Sequence, residues 1–184
     1  MPALRAGRSP RDRSSDAGAA STGTRDLGCA ADPLGLATIH YHQNGWPLAE
    51  QTFRQVIEEV PNDPALRAHG EQELAFAQVV AGDLPGAVHW ANVSLRSAEQ
   101  AADPHLVAHS LARVAAFEFF QGHGVRLDLL ETAEMLGAST GDEQPGRLPL
   151  FGPALIKGLV LKWCDRLDEA RLTLADQYRR APRI

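Results

Sequence analysis

The chain has 184 residues, 44% hydrophobic and 22% charged, with a net charge of −5. That is enough apolar material for one domain with a sizeable core, and the acidic balance gives no support to a general nucleic-acid-binding surface. Cys29 and Cys164 stand far apart in unlike contexts, so neither a disulfide framework nor a zinc-ligand spacing can be built from them. The longest apolar stretch, "FGPALIKGLVLKWC", is interrupted by Lys157 and Lys162 and does not reach the length of a membrane span. The N-terminus has no apolar core of a secretory signal, so a cytoplasmic location is the default expectation.

Residues 1–31 are rich in Gly, Ala, Ser, Thr and Arg, with five arginines against three aspartates. Such a segment buries too little to offset its ordering entropy, which predicts a disordered leader before a helical-repeat domain at 32–184. From Leu34 onward the hydrophobic period is helical. Ala49, Phe53, Val56 and Val60 form one stripe, and Leu84, Ala87, Ala91, Leu95 and Ala98 form another. Stop and start signals separate them: "NGWP" at 44–47, "PNDP" at 61–64, "GDLPG" at 82–86, "ADP" at 102–104, "GHG" at 122–124 and "GDEQPG" at 141–146. No two-residue alternation marks a strand.

The punctuation is periodic. With Gly45, Gly82, Gly122 and Asp165 as equivalent turns, the separations are 37, 40 and 43 residues. A compact residue stands seven positions before each, at Thr38, Ala75, Ala115 and Gly158, and Ala87 and Ala170 stand five positions after two of them. Small residues at these places let the two helices of a hairpin approach closely. The pattern predicts an all-α, right-handed stack of about four helical hairpins, in which each hairpin needs its neighbours to complete a core.

"GDLPGAVHWA" and "DRLDEARLTL" resemble the turn and second helix of tetratricopeptide-type repeats. "FEFFQGHGVRLDLLETAEMLG" and "LVLKWCDRLDEARLTL" resemble the helical-repeat region of the LuxR-type large ATP-binding transcriptional regulators of actinobacteria, a likeness running over about residues 34–180. Only two of the eighteen Lys and Arg residues are lysines, in keeping with a GC-rich bacterial source. The resemblance implies a region that couples effector or partner binding to an ATPase module upstream and a helix-turn-helix downstream. Neither lysine has the Gly-rich setting of a P-loop, and no recognition helix follows "YRRAPRI". The connecting middle of such a regulator is therefore expected, without its ATP and DNA sites and without a cofactor.

Candidate chemistry is sparse. "GASTG", 137–141, matches the G-x-S-x-G string around Ser139, but the preceding "LDLLETAEML" has a helical rather than a strand period, so Gly137 is read as a helix C-terminal glycine and Ser139 as non-catalytic. His105 and His109 share a helix face without the glutamate of H-E-x-x-H or a clear third ligand, and His40 and His42 lie on opposite sides of a helix. Glu58, Glu59, Glu71, Glu73, Asp165, Asp168 and Glu169 are read as structural, the last two meeting a helix dipole. Arg179, Arg180 and Arg183 suit a helix C-terminus. Trp46, Trp90 and Trp163 pack between hairpins or anchor a ligand. Leu172 and Tyr178 mark an end of the stack without a polar cap. A non-enzymatic module receiving a protein, peptide or small effector in a concave groove follows. The alternatives are a transcription regulator in its own right and a small hydrolase using Ser139.

Overall fold

A computed structural model describes residues 46–140 and 152–180. They form seven helices and no strand: α1 (Trp46–Glu59), α2 (Pro64–Ala81), α3 (Leu84–Gln100), α4 (Pro104–Phe120), α5 (Leu127–Thr140), α6 (Pro153–Trp163) and α7 (Leu167–Arg180). The leader at 1–31, Thr38 and Gly45 lie outside the described residues, as does the loop "GDEQPG".

Three helices begin on an aspartate followed within two residues by proline. Asp63 accepts from the Leu66 N–H, Asp83 from the Gly86 N–H, and Asp103 from the His105 and Leu106 N–H groups. Each carboxylate replaces a missing intrahelical acceptor, a cap worth about 0.5–2 kcal/mol, and proline fits a position that needs no N–H donor. These caps recur every 20 residues, with His69, His89 and His109 each six positions beyond one of them.

Four connections share one backbone solution. Gly82, Ala102, Gly122 and Asp165 take positive φ values of 82°, 52°, 84° and 59°. In each case the following N–H reaches five residues back, Asp83 to Gln78, Asp103 to Ala98, His123 to Glu118 and Arg166 to Leu161, at 2.9, 3.4, 3.0 and 3.0 Å. This closure satisfies carbonyls at the helix end. Asp83 and Asp103 then cap the next helix, so one residue both closes one helix and opens another.

Helices consecutive in sequence pack on one another from α1 to α7. In addition, α2 meets α4 and α4 meets α6, whereas the odd-numbered helices have no comparable second-neighbour packing. Helices α2, α4 and α6 therefore form a contiguous row among the described residues.

The principal core is built largely from alanine: Ala75, Ala87, Ala91, Ala112, Ala115, Ala116 and Ala133, with Val114, Phe117, Leu130, Ile156 and Val160 filling the remainder. Small side chains bring the α2 and α3 backbones close, and α4 is buried around much of its circumference. Ala49, Phe53 and Leu74 join α1 to α2, with Ile57 and Trp90 packed against them. Gly137 does not end its helix: α5 continues to Thr140, and Gly137 is buried where a Cβ would meet Pro153 Cγ at 3.5 Å. Position 137 is thus a buried helix-interior position rather than a left-handed turn, and the 3.5 Å spacing to Pro153 is an ordinary contact distance.

Candidate functional site

The small residues marked by the sequence are spread along the fold. Ala75, Ala87 and Ala115 are buried in the principal core, Ala170 is buried in α7, and Gly158 in α6 faces Leu174 of α7. Gly82 and Gly122 occupy left-handed turns. The alanines and Gly158 thus lie at packed helix positions and the other two glycines in turns.

Polar side chains do converge between α2, α3 and α4. Gln72 Nε2 donates to the Leu106 carbonyl at 3.3 Å and to Ser110 Oγ at 3.0 Å. The Ser94 and Ser110 hydroxyl oxygens are 3.2 Å apart, and Ser94 donates to the Ala91 carbonyl at 2.8 Å. Ser110 Oγ thus accepts from the Gln72 amide and faces the Ser94 hydroxyl, which connects α2, α3 and α4 through one buried polar cluster. Arg113 extends this seam, donating from Nη1 to the Gln72 carbonyl and from Nη2 to Glu73 Oε1 at 3.0 Å. The arginine is nearly buried while its carboxylate partner is 41% exposed, so the seam reaches solvent at Glu73.

Glu71, fully buried, receives Arg67 Nη2 on Oε1 at 3.3 Å, while Oε2 has no hydrogen-bond partner among the described residues. Gln78 Nε2 is in the same position. These atoms lie within helix packing rather than at an opening.

A second convergence is aromatic. Trp163, at the end of α6, is 51% exposed and lies nearly parallel to Phe119, with ring centres 6.4 Å apart and an interplanar angle of 7°. Phe120 is tilted against the same indole at 5.2 Å. These rings bridge α4 and α6. Trp90 is partly buried against two core clusters, and the Arg54 guanidinium lies 5.3 Å from its ring centre.

The catalytic strings find no matching geometry. Ser139 is exposed within α5 and donates to the Leu136 carbonyl at 2.7 Å, a helix-local bond with no strand before it. The His105 and His109 rings lie side by side at 4.4 Å, but among the described residues no group of three or more His, Cys, Asp or Glu side chains is placed to hold a metal. Glu58 and Glu59 are exposed on α1, and Asp168 is exposed in the first turn of α7. The hydrogen bond from Arg166 holds the Glu169 carboxyl below its ordinary range, and the hydrogen bond from Arg126 does the same for Asp128, in each case against a smaller desolvation effect. Arg179 is 3.5 Å from Asp176 of its own helix, and Arg183 lies outside the described residues.

Sequence inspection missed the polar convergence, whereas it had already marked Trp163 as packing between hairpins, without its partners Phe119 and Phe120. Gln72 and Ser110 are 38 residues apart, and Gln72 and Arg113 are 41 apart; the available signal was polar residues interrupting otherwise apolar helix faces. No helix among the described residues is long and apolar enough to cross a membrane. Comparison with family models, curated proteins and solved structures found no match for the chain.

Proposed function

We propose that this chain is a tetratricopeptide-like, right-handed stack of helical hairpins acting as a non-enzymatic interaction module. The observation that carries the reading is the packing order, in which second neighbours touch in the even-numbered layer and have no comparable packing in the odd-numbered one. A two-layer stack curves toward its more crowded layer, and the concave side of such a stack receives a peptide, a small effector or a neighbouring domain. The polar seam ending at Glu73 and the half-exposed Trp163 supply charged and aromatic contacts on that layer. The sequence resemblance extends the reading to a coupling region of a LuxR-type ATP-binding regulator, which requires a P-loop module and a helix-turn-helix to be encoded alongside.

Photo-crosslinking tests the groove. A benzophenone amino acid replaces Glu73 or Trp163 on the even-numbered layer, or the exposed Arg96 of α3 or Glu131 of α5 as outer controls. The groove reading expects one partner captured from both inner positions and from neither outer one. Equal capture from the two layers, or capture from neither, contradicts it.

A further inference from the structure

The helix α7 packs chiefly on α6, with Ala170 buried and Leu174 lying against Gly158. Its other side is open: Leu167 is 57% exposed, Leu172 68% and Tyr178 85%, the last two being the most exposed large hydrophobic side chains among the described residues. With about 100° of rotation per residue, Asp168, Leu172, Ala175 and Arg179 fall on one stripe, and Arg171 and Tyr178 lie together along one edge of it. All six are exposed.

This stripe is complementary to itself. Exchange of the helix ends about a point between Thr173 and Leu174 interchanges Asp168 with Arg179 and the large Leu172 with the small Ala175. In an antiparallel pair, residues on the same edge meet, so Arg171 of one helix comes alongside the Tyr178 ring of the other, a cation–π arrangement. The α1 surface is built differently, with Pro47, Glu50, Gln51, Arg54, Gln55 and Glu58 lining one largely polar depression and Leu48 its exposed large hydrophobic side chain. Head-to-tail stacking would also leave an open filament, whereas a two-fold pair closes.

We propose that α7 is a dimerisation helix, pairing antiparallel with α7 of a second copy about a two-fold axis near Thr173 and Leu174. Two symmetry-related Asp168–Arg179 ion pairs flank a centre of Leu172 and Ala175. The intrahelical Arg179–Asp176 pair is solvent-exposed and worth little, so re-pairing across the axis sacrifices little. One helix face buries less than the roughly 800 Å² per partner of a standard interface, which makes the dimer weak and dependent on concentration. The proposal does not rest on the groove reading.

Sedimentation equilibrium of the full chain over a wide concentration range tests it, with circular dichroism to verify retained helix. The parent chain dimerises as concentration rises. Asp168→Arg and Arg179→Asp each place like charges opposite one another and shift the chain to monomer, as does Leu172→Glu. Mixing the two charge variants restores a dimer, because each mutant end then meets its opposite. A parent chain that is monomeric throughout, a dimer indifferent to Leu172→Glu, or charge variants that fail to pair on mixing would each overturn the proposal. A different protein seated on α7 of a monomeric chain would overturn it as well.

Discussion

At Gly158 the backbone of α6 approaches a side chain of α7 so closely that an added Cβ would stand 2.6 Å from Leu174 Cδ2 and 2.7 Å from Cγ. The second distance matters more, because the branch carbon cannot swing away as freely as a terminal methyl. Gly158→Ala is expected to lower the unfolding free energy by about 1–3 kcal/mol, the usual penalty of an overpacked contact. In a Leu174→Ala background the clash is gone and the same substitution costs less. Urea unfolding of the parent, both single variants and the double variant measures that coupling; strictly additive effects would show that the two side chains do not compete for the same space. Gly158 was legible from its spacing to the turn at Asp165. Gly137 was misread because its neighbours resemble a terminus, whereas the helix runs on through it to Thr140.

At the scale of the element, helix starts were legible wherever aspartate and proline coincide, because Asp63, Asp83 and Asp103 act through local geometry. The Gln72–Ser110–Ser94 cluster was not, since its inter-helix bonds join residues far apart in sequence and the whole cluster needs three helices in place. The first turns of α5 and α7 use a third device, an arginine just outside the helix bonded to an acidic side chain inside it: Arg126 to Asp128 and Arg166 to Glu169. Both carboxyl groups have folded-state pKa values held below their ordinary ones. Their stabilisation is therefore complete above the unfolded-state pKa, about 4 for such groups, and is lost as pH falls through the folded value. The double variant Asp128→Asn, Glu169→Gln is expected to melt below the parent at neutral pH by a small margin, since these pairs face solvent. That margin closes below about pH 4, and thermal melting across pH reads it directly. A margin that stays constant with pH would remove the ion pairs as its cause.

Across the whole molecule, stability is expected to be graded rather than uniform. Among the described helices α4 touches α2, α3, α5 and α6, while α7 packs chiefly on α6. Where each element gains its free energy from adjacent elements, a terminal helix can open without dismantling the others, and a central one cannot open without exposing several interfaces. The distribution of burial points the same way: α4 buries Leu106, Ala112, Val114, Ala115, Ala116 and Phe117, whereas Leu167, Leu172 and Tyr178 of α7 face outward. Native-state hydrogen exchange at a concentration low enough to keep the chain monomeric should therefore find the slowest amides in α4 and in the facing turns of α2 and α3. Those of α7 should exchange at a distinctly lower opening free energy. Raising the concentration should slow α7 selectively if the second copy pairs there, because binding to the closed state adds its own free energy to the opening reaction. Equal protection of α4 and α7 at low concentration would mean that the described helices unfold as one cooperative unit, and the nearest-neighbour account of their stability would fail.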